Sequence, residues 1–336
     1  MEHLVELSYY FNSCYAAIAD WFHALYADFV NQRKRVFIGY LAISVIIAFI
    51  FLKVVEGQTS RHAVNKIFDK RILWSKSAKA DYKIFAINRA FVLLLSPYLL
   101  SQTAVITFVF FTLGEQHIMG FHALTDWNPF LITALYTGVY FLSDDFSKFV
   151  IHRMMHKSKV LWSFHKVHHS AQTMTPITVY RVHPVESLIY GIRGTIVTGV
   201  VIGLFAFCFG TDSLSIISII GVNIFTFLFN IAGSNLRHSH IRLTYWTWIE
   251  RVIISPAQHQ LHHSRAQKHF DKNFGAMLAI WDWAFGSLHI SEKNAPLTFG
   301  LQPDEMPSSG LKHLYLKPLF EASAIITKGI ITNRRR

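Results

Sequence analysis

Eight of the chain's histidines fall into three short clusters with the spacings HxxxH, HxxHH and HxxHH. They are His152 and His156; His165, His168 and His169; and His259, His262 and His263. On a helix, side chains at i, i+3 and i+4 are neighbours, so each cluster would turn its imidazole rings toward one place. Neutral imidazole is the commonest nitrogen ligand of metals in proteins. The repeated HxxHH therefore predicts a metal site, since a chain that is merely rich in histidine would not repeat this spacing.

The number and type of these ligands narrow the choice of metal. Eight imidazoles are more than one tetrahedral zinc ion uses. Cys14 and Cys208 are the only cysteines in the sequence, so neither a disulfide framework nor a thiolate site is expected. Two iron ions with room for dioxygen fit the set best, and a pair of zinc ions that activates water is the alternative. Haem is not expected, because its histidine ligands would come one per helix near the membrane interior.

The composition is that of a membrane protein. Of the 336 residues, 52% are hydrophobic and 15% are charged, whereas about a quarter are charged in soluble domains. The formal charge of +12 does not indicate a nucleic-acid partner, because the basic residues flank apolar runs instead of forming one stripe. The first residues, MEHLVELSYY, are acidic where a signal peptide would be basic, so no cleaved signal is expected.

Apolar runs predict an all-α integral membrane protein with a bundle of about five transmembrane helices. These are expected at residues 36–52, 90–113, 129–143, 187–209 and 213–233. Residues 53–89 carry nine Lys and Arg, which favours the cytoplasmic side for this loop and the outside for the amino terminus. Alternation along the chain then brings 144–186 and 234–336 to the cytoplasmic side as well. All three histidine clusters would share one cytoplasmic histidine-rich cap that holds a di-metal site.

The same pattern divides the chain into four regions. An N-terminal interfacial segment at 1–35 precedes the first three transmembrane helices and the basic loop, at 36–143. A catalytic domain that includes the last two transmembrane helices occupies 144–290, and a cytoplasmic C-terminal tail occupies 291–336.

Two groups of motifs resemble the fatty acid hydroxylase / sterol desaturase superfamily. FHKVHHS is followed by TVYRVHPVE, and HQLHHS is followed by DKNFGAMLAIWDWAFGSL, so the resemblance covers about Asp145 to Leu288. The superfamily comprises integral membrane di-iron enzymes, among them sterol-oxidising enzymes, lipid hydroxylases and alkylglycerol monooxygenase. DKNF with IWDWAFGSL is most similar to the bacterial sterol-desaturase-like and alkylglycerol-monooxygenase-like members.

Carried over by position, the resemblance implies that all eight clustered histidines bind metal. It also implies a ninth ligand before the last cluster, where this chain reads RHSHIRL. His238 takes the matching position and His240 is the alternative, because residues two apart on a helix face apart. His183 in RVHPVE matches a family histidine near the site, and the competing interpretation is a hydrogen-bonded cap before the fourth transmembrane helix.

Several other residues are candidates for supporting roles. Asp145 precedes His152 by two helical turns, so its carboxylate could hold the second ring nitrogen of a ligand, or it could be a charge near the start of a helix. The resemblance suggests similar supporting roles for Asp271, Asn273 and Asp282.

Five further residues of this region are expected to lie away from the metals. Trp281, Trp283 and Phe285 are predicted to anchor the cap at the lipid headgroups. His269 is expected to face solvent, and His289 is isolated in the sequence and is given no role.

The resemblance implies a membrane-bound oxidoreductase with two iron ions that uses dioxygen to hydroxylate or desaturate a C–H bond of a sterol, fatty acyl chain or ether lipid. No bound flavin or haem is expected, because the chain has no flavin fingerprint, no rubredoxin-type CxxC and no HPGG motif. Electrons would come from an external cytochrome b5-like protein, or from a ferredoxin or rubredoxin with its reductase. A bacterial inner membrane is favoured, or the endoplasmic reticulum in a eukaryote.

Two other functions follow from the same residues. A membrane di-zinc hydrolase acting on a lipid would need neither oxygen nor a reductant. A metal transporter would place ionisable residues along its transmembrane helices, and the predicted helices carry almost none.

Overall fold

The computed structural model describes residues 2–96, 99–116, 120–212, 214–292, 297–302, 305 and 310–333. The α-helices are α1 (Glu2–Val30), α2 (Ile38–Ile50), α3 (Ser60–Ile67), α4 (Lys70–Leu73), α5 (Lys76–Leu95), α6 (Gln102–Glu115), α7 (Pro129–Lys157), α8 (Lys159–His169), α9 (Pro184–Phe209), α10 (Ile224–Ile231), α11 (Thr247–Glu250), α12 (Pro256–His262), α13 (Ile280–Ala284) and α14 (Leu311–Asn333). Short 3₁₀ helices lie at Pro176–Tyr180, Ser234–His238 and Gln267–His269, and a π-helical turn at Phe51–Val55 extends α2. Two short strands, β1 (Ser218–Ile219) and β2 (Val222–Asn223), pair antiparallel. The prediction of a helical protein is confirmed.

Two helices in the described ranges are long and apolar enough to cross a membrane. They are Ile38–Val55, which is α2 with its π-helical extension, and Pro184–Phe209, which is α9. These coincide with the first and fourth predicted transmembrane helices. Helix α6 is apolar but shorter.

The second predicted transmembrane helix is divided between two helices, whereas the third is part of one longer helix. The prediction at 90–113 is divided between α5 and α6, and the Ser101 side chain caps α6 by accepting a hydrogen bond from the Ala104 amide. The prediction at 129–143 lies inside the 29-residue helix α7. This helix starts at the Asn128 cap with proline in its first turn, as helix starts favour. It continues without a break to His152 and His156.

The fifth predicted transmembrane helix, at 213–233, is not one helix. In its described part it contains the β1–β2 hairpin and the eight-residue helix α10. Ile220 and Gly221 turn the hairpin with φ angles of 48° and 73°, which interrupt a helix. The Asn223 side chain then accepts from the Phe225 amide at 3.0 Å and starts α10.

Close helix packing assembles the bundle that carries the histidines. Gly199 and Gly203 of α9 form a GxxxG pair against α6, where an added Cβ would lie 2.6 Å from Val105 and 2.9 Å from Val109. Such small residues let membrane helices approach closely. Helix α9 also packs on α7.

The C-terminal helix α14 packs against α8, which carries three of the clustered histidines. Val167 of α8 shares a buried apolar cluster with Ile84 of α5 and Leu314 of α14. An ion pair joins Lys166 to Glu321 on the same helices. The predicted C-terminal tail, 291–336, therefore contains a helix, α14, that packs against the histidine-bearing helix α8.

Candidate metal centre

Nine histidines converge in two adjoining groups. Within each group the nearest ring nitrogens all lie within 4.8 Å of one another. The first group is His152, His156, His165, His169 and His262; the second is His168, His238, His259 and His263. The structure thus brings together all eight clustered histidines and His238.

Each HxxHH motif divides its rings between the two groups. In α8 the outer pair, His165 and His169, belongs to the first group and His168 to the second. In α12 and its cap the outer pair, His259 and His263, belongs to the second group and His262 to the first. The i and i+4 residues share a helix face while the i+3 residue lies to one side, so two such helices can supply two ions jointly. The prediction that each cluster turns its rings toward one place is correct for His152 and His156, which both belong to the first group, and wrong for the two HxxHH motifs.

Helix caps set the position of these short helices. Ser158 ends α7 and caps α8 by accepting from the Leu161 amide at 3.4 Å. A capping box between Ser255 and Gln258 starts α12 directly before His259. Gly233, with a φ of 96°, precedes the 3₁₀ helix that ends at His238.

The second group has the spacing of nitrogens that share an ion. The Nε2 atom of His238 lies 3.2 Å from that of His168 and 3.0 Å from that of His259, and the Nε2 atoms of His259 and His263 are 3.2 Å apart. Neighbouring nitrogens around one metal are roughly 3.0–3.4 Å apart, because metal–nitrogen bonds measure about 2.1 Å.

Two histidines of the first group are oriented by main-chain carbonyls of one loop. Nδ1 of His152 donates to the Phe274 carbonyl at 2.7 Å, and Nδ1 of His262 donates to the Lys272 carbonyl at 2.8 Å. Placing the proton on Nδ1 leaves the Nε2 lone pair available, as in other metal sites with this support.

Two further histidines are oriented in the same way from other elements. Nδ1 of His165 donates to the buried Glu186 carboxylate at 2.9 Å. Nδ1 of His168 lies 3.3 Å from the Arg181 carbonyl, to which it donates. Glu186 was missed in the sequence, although it stands three residues after His183 in the motif HPVE.

The free ring nitrogens fit a bound metal. The buried Nε2 atoms of His156, His165, His169 and His262 have no hydrogen-bond partner among the described residues. Buried polar atoms are normally satisfied, so four orphaned nitrogens that face one another need a further partner. A metal ion provides one.

Burial also keeps these rings in the ligand form. It lowers the pKa of His165 and of His168 to about 3, with a smaller contribution at His168 from the neighbouring His165. Burial lowers the pKa of His262 and His263 well below the usual value. At neutral pH the rings are therefore uncharged, which metal binding requires.

His240 and His183 lie outside both groups. Nε2 of His240 donates to the Lys66 carbonyl at 2.6 Å. Nδ1 of His183 accepts from the Val185 amide at 3.1 Å at the start of α9, and its Nε2 donates to the Tyr315 carbonyl at 3.0 Å. His183 thus has the geometry of a helix cap.

Asp145 contacts the loop after the last cluster rather than a histidine. Its buried carboxylate accepts from the amides of Met277 and Leu278 at 2.9 and 3.0 Å and from the Trp281 indole at 3.0 Å. It contacts no ligand ring among the described residues and lies inside α7 rather than at a helix start, so both of these interpretations of Asp145 are wrong. It anchors the loop.

Asp282 and Asn273 hold the same loop from within. Asp282 accepts from the amides of Phe274 and Gly275 at 2.8 and 2.7 Å. The Asn273 side chain donates to the His289 carbonyl at 2.9 Å and accepts from the His289 amide at 2.7 Å.

Asp271 lies at the edge of the first group. Its carboxylate accepts from Lys157 at 2.5 Å, and its other oxygen is 3.9 Å from Nδ1 of His156. Trp283 and Phe285 are exposed, whereas Trp281 is tied to Asp145.

His269 and His289 do not fit their predicted places. His269 was expected to face solvent, but its side chain is buried, with 1% of its surface exposed. His289 is isolated in the sequence, but its ring centroid lies 5.4 Å from that of His269. Residues 270–288 separate them in sequence, so spacing alone gave no signal of this contact.

Two cavities reach the centre. One, of about 310 Å³, is lined by His168 and His238 together with Arg35, Arg237 and Tyr190 of α9. The other, of about 260 Å³, is lined by His156, His169, His262 and His263 together with Trp162, Arg265 and Glu305.

Comparison with known proteins finds a family model described as fatty acid hydroxylase, which matches residues 137–287. Among curated proteins, alkylglycerol monooxygenase of Homo sapiens is 25% identical over 161 residues, covering 48% of this chain and 32% of the relative. An ornithine lipid hydroxylase of Rhizobium tropici is 25% identical over 157 residues, 47% of this chain and 43% of the relative. A Delta(7)-sterol 5(6)-desaturase of Gibberella zeae is 28% identical over 154 residues, 46% of this chain and 42% of the relative.

The aligned segment thus spans less than half the length of each of these relatives. No solved structure gives a significant match. The resemblance found in the motifs is confirmed, because the fatty acid hydroxylase family model matches residues 137–287, which hold all nine converging histidines.

Proposed function

We propose that the protein is a membrane-bound lipid oxidoreductase of the di-iron type that hydroxylates or desaturates a C–H bond with dioxygen. The observation that carries the proposal is the convergence of nine neutral histidines in adjoining groups of five and four. The relatives are named as a lipid monooxygenase, a lipid hydroxylase and a sterol desaturase, which supports a lipid substrate.

The ligand set favours iron over zinc. The two groups consist of histidine alone, without cysteine or carboxylate, and each exceeds the three protein ligands typical of catalytic zinc. Bound iron would supply the activation of dioxygen. The protein's own residues hold and orient the rings: the carbonyls of Lys272 and Phe274 and the carboxylate of Glu186 fix their protons on Nδ1.

We assign the two cavities to different reactants. The cavity beside Tyr190 lies at the first turns of α9, one of the two most apolar helices, and is the proposed lipid site. The cavity beside Trp162 is lined by His156 of α7, by α8 and α12, and by loop residues 264–265, 270–271, 300–302 and 305, and none of these lies on α2 or α9. It is the proposed side for the electron donor, which we expect to be a cytochrome b5-like protein, ferredoxin or rubredoxin.

We further propose a multi-pass protein with the histidine centre on the cytoplasmic side, in a bacterial inner membrane or the endoplasmic reticulum. The catalytic domain retains the predicted limits 144–290. Helices α2 and α9 would supply two membrane crossings, and α6 with the first half of α7 further ones. The segment that follows α9, with the β1–β2 hairpin and α10, would return the chain to the side of the histidines.

The test begins with protein purified in detergent from cells supplied with iron-57. We expect about two irons per chain with a coupled non-haem Mössbauer spectrum, as a di-iron centre requires. Incubation with lipid extract, reductant and dioxygen should give products heavier by one oxygen or lighter by two hydrogens. His168→Ala should remove iron and turnover together while the protein stays in the membrane. Lipid turnover that persists without oxygen and reductant would contradict the proposal and favour the di-zinc hydrolase.

A further inference from the structure

A third group of metal-ligand side chains lies outside the nine-histidine centre. It consists of His269, His289 and Glu292, whose ligand atoms lie within 4.8 Å of one another. Oε1 of Glu292 is 3.4 Å from Nε2 of His289 and 3.7 Å from Nε2 of His269. Two imidazoles thus face one carboxylate oxygen from two sides.

His269 is the anomalous member of this group. Its side chain is 98% buried, and neither ring nitrogen has a hydrogen-bond partner among the described residues. A buried imidazole with both nitrogens unsatisfied is unfavourable, and native structures rarely leave such atoms without a partner. Its Nε2 lies 3.7 Å from a Glu292 oxygen, which is beyond hydrogen-bonding distance.

We propose that His269, His289 and Glu292 bind a zinc ion, separate from the centre that supplies the catalytic metals. Two imidazoles and one carboxylate are a known zinc ligand set, and ligand atoms of a tetrahedral zinc are roughly 3.4 Å apart. The distances of 3.4 and 3.7 Å to the shared carboxylate oxygen fit this arrangement. His289 and Glu292 are partly exposed, so water can take the fourth position.

Lys268 competes with the metal for the carboxylate. Its Nζ lies 2.9 and 2.8 Å from the two oxygens of Glu292, and its side chain is 58% exposed. An exposed lysine gains little from such a pair and can turn into solvent. Zinc therefore has to displace Lys268, and removing the lysine strengthens zinc binding.

The position of the site gives the ion a structural role. His269 and His289 stand at the two ends of the segment whose carbonyls at Lys272 and Phe274 orient His262 and His152. Asn273 already ties this segment to the main chain of His289. A zinc ion would join the two ends of this segment and so hold the carbonyls of Lys272 and Phe274 in place.

The test uses the full-length protein in detergent, loaded with iron and then titrated with zinc sulfate while iron content is followed. We expect one zinc per chain to bind without loss of iron, with nitrogen and oxygen neighbours in its X-ray absorption spectrum. His289→Ala and Glu292→Gln should each weaken zinc binding by about a hundredfold, since even loss of an outer partner costs about 10–100-fold. Lys268→Ala should bind zinc more tightly.

His62→Ala, at an exposed histidine, is the control and should bind zinc as the unaltered protein does. The proposal is overturned if the iron-loaded protein takes up no zinc, if zinc enters only as iron leaves, or if His289→Ala and Glu292→Gln bind zinc as tightly as the control. A Lys268→Ala variant that binds zinc more weakly would contradict the competition between Lys268 and zinc for Glu292. None of these readings depends on lipid turnover, so they stand apart from the test of the proposed function.

Discussion

At the scale of single residues, Glu186 differs from the other carboxylates near the centre because it contacts a histidine ring. It is buried on the first turn of α9 and accepts a hydrogen bond from Nδ1 of His165. Asp145 and Asp282 bind backbone amides instead. A carboxylate in this position raises the basicity of the ligand ring and fixes its orientation.

Replacing Glu186 by glutamine should weaken iron binding. The amide keeps the shape but removes the negative charge that supports His165, so we expect about a 10–100-fold loss of iron affinity. Iron retained after dialysis against a chelator is the measurement. Glu56→Gln, at a partly exposed carboxylate paired with Lys66, is the matched control. Equal iron retention by both variants would contradict the role given to Glu186.

The pair His238 and His240 provides a second test at this scale. His238→Ala should lose iron and turnover, because its Nε2 lies 3.0–3.2 Å from two other rings of the second group. His240→Ala should keep both, since its ring binds the Lys66 carbonyl outside that group. Metal analysis of the two purified variants decides between them, and iron loss in His240→Ala would reverse the assignment.

Residue types and spacing indicated the histidines that converge, but not how they divide. The HxxHH pattern gives helix neighbours, whereas the allocation of His168 and His262 to opposite groups depends on how α8 and α12 face each other. The contact of His269 with His289 depends on the path of the loop between them. Neither relation is local in sequence, so periodicity could not predict it.

At the scale of elements, sequence prediction succeeded where the helix signals were local. Helices α7 and α9 have proline in the first turn, a polar cap and a continuous apolar run. The stretch 213–233 is equally apolar, but its described part folds as a hairpin and a short helix. It runs beside α2: Tyr40 packs on Phe227, and a Cβ added at Gly233 would lie 3.7 Å from Ile47. Apolar composition alone does not reveal such a partner.

The contact of α6 with α9 should depend on the GxxxG pair. Gly203→Leu would drive its side chain into Val109 and the Ile106 carbonyl, so we expect destabilisation by about 1–3 kcal/mol. Thermal unfolding in detergent should show a lower melting temperature. Gly194→Leu is the control on the same helix, because an added Cβ there meets nothing within 4 Å. Similar melting temperatures for the two variants would argue against close α6–α9 packing.

At the scale of the whole molecule, α9 sets the distance between the centre and the far end of the bundle. Its 26 residues run from Pro184 to Phe209, with Glu186 beside the histidines in the first turn and Gly210 as the cap at the other end. At about 1.5 Å per residue this is about 39 Å, enough to cross the apolar part of a membrane.

The two ends of α9 should therefore be reached from opposite sides of the membrane. In a protein with Cys14→Ser and Cys208→Ser, we place one cysteine by Thr211→Cys or by Lys159→Cys, both at exposed positions. An impermeant maleimide applied to intact cells should label the first and not the second. In permeabilised cells the maleimide should label both introduced cysteines. Labelling of Lys159→Cys, or of neither site, in intact cells would contradict the proposed topology.

The carbonyls that orient His152 and His262 have a consequence for how this protein tolerates mutation. A main-chain oxygen is present whatever side chain position 272 or 274 carries, so no single replacement there deletes the acceptor. The constraint passes instead to the residues that fix the path of the loop, Asp145, Asn273 and Asp282. Variation should therefore be accepted at the half-buried Lys272 and rejected at Asp145, Asn273 and Asp282, while Phe274 is constrained by its own buried ring and not by its carbonyl. A mutational scan read only for proximity to the metals would rank these positions in the wrong order.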